Sequence, residues 1–429
     1  MHADKPLVLW ITTGFPPEIS GPAVGNLDRA RWFAGNPDMR VVILAPAWPG
    51  AEAGTGPDEQ LPEVIRYPSK RWIAYRNFRV PTRRSLRFIE DTVARLRPDL
   101  ILLTDVERSY AFAAWRLPGR GWATKNKVPY IGYYHTDFYN FAGMYPVWRH
   151  LRDVFIKPVL SRLYRGLDAA ICPSPSAAAQ ARFLGAPRAY TMRFDGVDTG
   201  FYRPDRRDRH HLKRLIGIEP PGPVVLSLGR LAWEKRIDLT IDAVGRLQAR
   251  EEFREASLVV AGGGDARVLA ALKRRTAGVP RPEQIHFVGP ITGSDKADLI
   301  ASCDVLCLPS PYETFGITAT EAMASGLVVL ASDSGALPDY LDHGRNGYLH
   351  RQEDVHEIAR LLGEILSEDQ DPVRRQAIAD VQRFSMETVG TTLAEFFQAV
   401  LDGEFPQPSA SFSLIATGES HGVGQGDAP

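Results

Sequence analysis

The sequence predicts an α/β protein built from two doubly wound, Rossmann-like domains. Three observations predict it. The chain of 429 residues is too long for one ordinary core. Short apolar runs alternate with helix-patterned stretches along most of it. The alternation also breaks once, at a polar passage, and then restarts. Regular alternation of strand and helix implies a parallel sheet covered on both faces. The restart implies a second sheet rather than an extension of the first.

In the first half, PLVLWITT, MRVVILAP, PDLILLTD, VPYIGYYH and LDAAICPS are short apolar runs that pass into loops, as buried strands do. VGNLDRARWFAGN and RRSLRFIEDTVARLR lie between them with helical patterning. The passage GVDTGFYRPDRRDRHHLKRLIGIEPPGP is rich in Arg, Pro and Gly and reads as interdomain chain. Beyond it PVVLSLGR, ASLVVAGGG, QIHFVGP, CDVLCLPS and GLVVLASD supply the second sheet. The expected domains are residues 1–205 and 206–380, with helices over 381–404 packing back toward the first domain. From Phe405 onward the Gly/Ser/Pro-rich tail reads as disordered.

Composition narrows the function classes. A hydrophobic content of 44% and a charged content of 24% are those of a soluble globular protein. No run approaches the ~20 apolar residues of a membrane span. The opening PLVLWITTGF ends in Gly-Phe-Pro-Pro rather than a cleavage site, so it reads as a buried strand and not a signal peptide. Three cysteines, Cys172, Cys303 and Cys307, make no disulfide framework and fit a reducing, cytoplasmic compartment. Cys303 and Cys307 read as buried thiols rather than zinc ligands. The net charge of zero hides an asymmetry: residues 1–210 carry 31 Lys and Arg against 20 Asp and Glu, and the remainder the reverse. The two halves therefore face different partners, or the split is plain solvated surface charge. No nucleic-acid-binding motif accompanies the basic half.

The chemistry concentrates in three stretches. In SLGRLAWEKR a strand ends at Gly229, and Arg230 and Lys235 follow in the loop. A planar guanidinium fork and a point charge converging on one anion suit a diphosphate. A solvated basic turn is the plainer alternative, with Trp233 packed against the domain. The run GGGDAR lacks the G-x-G-x-x-G spacing, which makes it weak evidence for a nicotinamide enzyme and as readily a tight turn near a nucleotide. In PYETFGITATEAMASG, Glu313 sits in a loop and Glu321 in a helix with Thr314 as its expected cap and Gly326 as its stop. Gly316 lets the backbone approach a ligand, and the first helical amides can bind a phosphate or a sugar hydroxyl. Two acids so far apart do not share a proton. They can grip two polyhydroxylated ends of one ligand.

Arg230 and Lys235 after a strand, followed by E-x7-E from Glu313 to Glu321 with Phe315-Gly316 inside it, resemble the retaining glycosyltransferases of family 4. FPPEIS, PSPSAAAQARFLG, GVDTGFYRP, VGP, ADLIASCDVLCLPSPYETFG and DYLDHGRNGYL fall in that family's order, so the resemblance covers most of the chain. It implies the GT-B fold, two facing Rossmann-like domains with a deep interdomain cleft. It also implies a hexosyl transfer from a UDP- or GDP-linked sugar to a hydroxyl acceptor. On that resemblance Gly229, Arg230 and Lys235 bind the donor diphosphate. Glu313 holds the donor sugar with the amides of Phe315, Gly316 and Ile317. Glu321 holds the ribose, and the backbone of Val288, Gly289 and Pro290 meets the base. His135, in GYYHTDF, matches the cleft histidine beside the reacting carbon. Gly21 matches a ligand contact in the first loop, although Ser20 and Pro22 stand where the family often has a second glycine. Asp195 replaces a usual Asn, and Met386 a common Trp.

The implied chemistry is same-face substitution through an oxocarbenium-like state, with no cofactor and no metal. The D-x-D of Asp369-Gln370-Asp371 reads as a solvated loop. HTDF followed by an aromatic run also resembles the branch that glycosylates diacylglycerol and related lipids, including sulfolipid synthase-like enzymes. The stretch YPSKRWIAYRNFRVPTRRSLRFIE mixes cations with aromatic rings, which suits peripheral attachment at the anionic inner face of a membrane. Its alternative is the wall of an acceptor cleft for a soluble molecule. An epimerase and a non-catalytic nucleotide-sugar-binding module of the same fold remain open beside the transferase.

Overall fold

Alternate side chains of the apolar runs enter two different cores, and this is what makes each run a buried strand. The computed structural model describes residues 5–18, 21–49, 61–71, 79–112, 115–143, 151–193, 196–217, 220, 222–406 and 413–414. Its strands are β1 (Leu7–Ile11), β2 (Arg40–Pro46), β3 (Glu63–Tyr67), β4 (Ser69–Arg71), β5 (Arg79–Pro81), β6 (Leu100–Leu103), β7 (Tyr130–Tyr133), β8 (Ala169–Cys172) and β9 (Ala189–Thr191). They continue with β10 (Val224–Leu228), β11 (Ser257–Ala261), β12 (Ile285–Gly289), β13 (Val305–Leu308), β14 (Val328–Ser332), β15 (Tyr348–His350) and β16 (Ser413–Leu414). In β1, Leu7, Leu9 and Ile11 enter one core while Val8 and Trp10 enter the other. β10 divides in the same way, Leu226 to one side and Val225 to the other.

The chain divides into two compact units, residues 1–196 with 386–429 in one and residues 197–385 in the other. The first holds a sheet of order β16-β9-β8-β7-β6-β1-β2-β3, parallel apart from β16. The second holds a wholly parallel sheet of order β12-β11-β10-β13-β14-β15. In each sheet the strand order reverses once near the middle, between β1 and β6 and between β10 and β13. Loops leaving the carboxyl ends of such strand pairs diverge and leave a crevice, the usual ligand site of this fold class.

The unit changes at Val197 rather than at the expected limit of 205, and the passage that follows contains a helix, Arg209–Ile216, capped by the Asp208 carboxylate. The stretch 381–404 is divided: residues up to 385 belong to the second unit, and the helix Met386–Leu401 to the first. Val389, Leu393, Phe396, Phe397 and Val400 of that helix share a core with Val8, Trp10 and Ile43. Of the tail, Ser413 and Leu414 pair with β9, and residues 407–412 and 415–429 lie outside the described residues. The basic, aromatic stretch 67–90 contains a β4–β5 hairpin and the start of the helix Arg83–Leu96, closed by a Thr82–Ser85 capping box. Its centre, residues 72–78, also lies outside the described residues. The D-x-D is only partly a loop. Asp371 opens the helix Asp371–Val381, and the buried Gln370 accepts a hydrogen bond from Tyr348 at 2.9 Å. All three cysteines are buried, and burial pushes their thiols up, Cys307 to about 12. Among the described residues no helix is long and apolar enough to cross a membrane.

Candidate functional site

In the second unit the loops after β10 and β13 straddle the point where the strand order reverses. The β10 loop is fastened to the β11 loop by Gly229 N donating to the Ala261 carbonyl at 3.0 Å and Leu231 N to the Gly263 carbonyl at 2.8 Å. The fit is tight enough to dictate a residue type. A Cβ on Gly262 would lie 1.7 Å from the Gly229 carbonyl oxygen, so the glycine run serves loop packing. Arg230 then pairs with Glu234, four residues on. Lys235 reaches across to the β13 loop, where its Nζ lies 2.5 Å from Glu313 Oε1. The two cations thus each hold a carboxylate rather than converging on one point. Trp233 is 59% exposed, against the alternative that it packs on the domain.

The helix that follows Glu313 runs Ile317–Ala324, and its N-cap is Gly316 in the left-handed conformation, φ 84°. Thr314 is not the cap, and no side chain caps this end. Only glycine fits: a Cβ here would lie 2.8 Å from Leu337 and 3.0 Å from the Tyr340 hydroxyl. That hydroxyl donates to the Phe315 carbonyl at 2.7 Å, while the Phe315 ring packs on Tyr340 and Phe384. The side chain of Phe315 is therefore core, which leaves backbone contact as its only ligand role. Gly326, φ 69°, follows the last turn as the expected stop. Glu321, one turn into the helix, is buried; its Oε1 receives Lys296 Nζ at 2.6 Å and its Oε2 has no hydrogen-bond partner among the described residues. At the end of β12 the Gly289 carbonyl accepts from Gly262 N at 2.8 Å, and Pro290 lies against Gly263, so Val288, Gly289 and Pro290 border the same loop cluster.

The first unit carries its own polar cluster at the carboxyl ends of β1, β6 and β7. Asp105, just past β6, is buried and holds a left-handed backbone, φ 52°, a conformation that costs a non-glycine residue ~1–2 kcal/mol. Its Oδ2 accepts from Thr13 N at 3.3 Å, Thr13 Oγ1 at 3.1 Å and Gly14 N at 3.1 Å. Burial works against its charge, yet the Arg108 guanidinium, His135 and the Thr13 hydrogen bonds hold its carboxyl below the usual range. His135 Nδ1 lies 3.8 Å from Asp105 Oδ1, and its ring meets Tyr133 edge-on. Arg108 also reaches the buried Glu18, at 3.6 Å. Two residues further on, burial pushes the Glu107 carboxyl up to about 7, against a hydrogen bond from the Tyr164 hydroxyl. Gly21 opens the helix Gly21–Ala34, and residues 19–20 before it lie outside the described residues.

Sequence reasoning missed Asp105, Arg108, Glu18 and Lys296. Asp105 and Glu18 carried a faint signal, Thr-Asp at the end of an apolar strand and the acid inside FPPEIS; Arg108 and Lys296 carried none. One grouping with metal-ligand potential exists among the described residues: His211, Asp295 and Asp298, with ligand atoms within 4.8 Å of one another. Arg206 already occupies Asp298 at 2.7 Å.

Residues 20–201 match the family described as Glycosyltransferase Family 4, and residues 208–382 match Glycosyl transferases group 1. The sulfoquinovosyl transferase SQD2 of Arabidopsis thaliana is 27% identical over 70% of this chain and 56% of its own length. The match thus spans just over half of that protein. The alpha-monoglucosyldiacylglycerol synthase of Streptococcus pneumoniae is 26% identical over 82% of this chain and 78% of its own. Among solved structures, Anabaena Alr3699/HepE in complex with UDP and glucose superposes with a TM-score of 0.71 at 18% identity, over 92% of this chain and 99% of that one. The two parallel sheets and their helices are those of the GT-B fold.

Proposed function

We propose, from the premise that this chain belongs to glycosyltransferase family 4, that it moves a hexosyl group from a UDP- or GDP-linked sugar to a hydroxyl acceptor with retention of configuration. One observation carries the reading. Lys235 and Glu313, 78 positions apart, meet at 2.5 Å beside the uncapped start of the helix Ile317–Ala324. An arriving diphosphate competes for Lys235, and each ammonium–carboxylate contact it replaces frees Glu313 to accept hydroxyls of the donor sugar. Arg230 makes the same exchange with Glu234. The amides that begin the helix add donors and the positive end of its dipole. Glu321 takes the ribose, and the backbone of Val288 to Pro290 borders the base.

Two cations fixed by the protein stabilise the charge that develops on the departing diphosphate, the kind of electrostatic preorganisation that contributes most to group transfer. The acceptor enters on the face the diphosphate leaves, through an oxocarbenium-like state. Every step is assigned to side chains and backbone of this chain, none to a metal. His135 and Gly21 belong to the proposed machinery as well.

A lipid acceptor is supported by the name of one relative, the alpha-monoglucosyldiacylglycerol synthase, and by one surface of the first unit. Leu151, Val154 and Phe155 are exposed along the short π-helical turn Arg152–Ile156. Arg152 stacks on Tyr139 at 4.6 Å, and Lys157 sits over the exposed Phe183 ring at 3.8 Å. Apolar side chains flanked by cations suit an anionic membrane surface.

The test is an unfolding-temperature panel of UDP- and GDP-sugars, followed by mass-spectrometric detection of transfer to diacylglycerol in anionic vesicles and to soluble sugars. A donor at a hundred times its Kd adds about 2.7 kcal/mol of stability. A panel in which no nucleotide shifts unfolding sinks the reading. A product epimeric to the donor, formed without any acceptor, replaces transfer with epimerisation.

A further inference from the structure

Glu321 is buried, and only half of its carboxylate is satisfied within the protein. Lys296, from the helix Gly293–Ser302, donates to Oε1 at 2.6 Å, while the buried Oε2 has no partner among the described residues. A buried acceptor without a donor is costly, and such orphans mark places where something else supplies the hydrogen bond. The lysine beside it is itself not fully enclosed: its side chain is 22% exposed, against 7% for Glu321. Its ammonium carries three N–H donors, and the Tyr202 ring lies 5.7 Å away as an apolar flank.

An unsatisfied carboxylate oxygen next to an ammonium is an acceptor and a donor side by side. A vicinal diol is the ligand group that answers both at once, because each hydroxyl gives one hydrogen bond and can accept another. A phosphate would meet the carboxylate as a like charge. A group lacking one hydroxyl would leave either Oε2 or an N–H unpaired, and polar sites built around a hydroxyl reject analogues that lack it. We infer that Lys296 is a specificity-determining residue that reads the vicinal hydroxyls of the donor ribose together with Glu321, and so excludes 2′-deoxynucleotide donors. The inference rests on the donor-site reading of Glu321 given above; what it adds is the residue that sets the preference and the preference itself.

The experiment is calorimetric titration of the full chain with UDP, GDP and their 2′-deoxy counterparts, for the wild type, Lys296→Met and Lys296→Arg. The wild type is expected to bind one ribonucleoside diphosphate at least about tenfold more tightly than its deoxy form. In Lys296→Met that ratio collapses toward one, because the ribonucleotide weakens while the deoxynucleotide changes little. Lys296→Arg retains most of the preference. In turnover with the matching sugar nucleotide, the Met variant raises KM with kcat little changed, as loss of uniform binding does. A purely structural partner of Glu321 would weaken both nucleotides together. A Met variant that keeps the wild-type ratio therefore overturns the role of Lys296 and leaves the donor site standing. A wild type that binds neither diphosphate removes the donor site, and the inference with it. Should the Met variant not fold, Lys296→Leu, which also removes every donor, is read in the same way.

Discussion

Two pairs of acids show how differently the units build polar sites on similar sheets. In the second unit Glu313 and Glu321 each lie against a single lysine, and in both pairs the lysine is the more exposed partner. In the first unit Asp105 and Glu107 sit inside the fold, surrounded by Thr13, Gly14, Arg108, His135 and Tyr164. The first arrangement leaves interactions that a ligand can exchange for its own. The second satisfies itself before any ligand arrives and stores strain and desolvation in the folded state. Substitutions at Glu313 and Glu321 should therefore appear in binding and turnover, and those at Asp105 and Glu107 in stability.

The largest effect belongs to Glu313. Glu313→Ala is expected to lower transfer at least a hundredfold. It should leave the affinity for bare nucleoside diphosphate unchanged or higher, because Lys235 no longer has a carboxylate to hold. Lys235→Ala lowers both. Turnover and calorimetry on the two variants check this. If Glu313→Ala binds the bare diphosphate much more weakly than wild type, the carboxylate is a scaffold for the loop and the contrast between the units fails there.

Why these residues are legible while their counterparts are not follows from distance along the chain. Arg230, Lys235, Glu313, Gly316 and Glu321 fall in two short loop-and-helix stretches, each beginning where a recognisable strand ends. Lys296 meets Glu321 across 25 positions and Asp105 meets Gly14 across 91, and no local pattern announces either meeting. The strands follow the same logic. Fully buried runs such as LVLWI and VVLSL declare themselves, whereas EVIRY of β3 is half-exposed and carries two charges, because it forms an edge of its sheet. Thr314 is the preferred residue type for a cap and yet is not one, since a left-handed glycine can start a helix without any side-chain oxygen, which sequence preference ranks lower.

The next effect, on stability, belongs to Glu107. Burial raises its folded-state value to about 7 from an ordinary 4.5. Between those limits the folded protein holds a proton that the unfolded chain releases, so this group's contribution makes the fold more stable as pH falls from about 7 toward 4.5. Above 7 the folded state carries the full cost of a buried charge, of order 3 kcal/mol. Glu107→Gln is therefore expected to be more stable than wild type at pH 8 by an amount approaching that figure, with the gap closing near pH 5. Urea denaturation at the two pH values measures it. A gap that does not change with pH would mean the carboxyl stays charged, and the first unit would resemble the second after all.

The smallest effect tests whether the second unit, too, stores strain beside its exchangeable pairs. Arg236, next to Lys235, has φ 48° and ψ 37° and precedes the helix Ile237–Gln248. Its guanidinium binds Asp238 at 3.2 Å and also Glu353, which itself has φ 59°. Glu353 is largely exposed, so these ion pairs contribute less than about 1 kcal/mol. The left-handed backbone costs a residue with a Cβ ~1–2 kcal/mol that glycine avoids, while glycine loses 0.5–1 kcal/mol, roughly, through the greater freedom of its unfolded chain. Arg236→Gly and Arg236→Ala both lose the ion pairs, and only Ala keeps the strain. The Gly variant is expected to be the more stable of the two by about 0.5–1 kcal/mol in urea unfolding, with transfer little changed in either. The reverse order would show that the loop relaxes out of the left-handed conformation once Arg236 is gone, and that the ion pairs, not the backbone, set the position of Lys235.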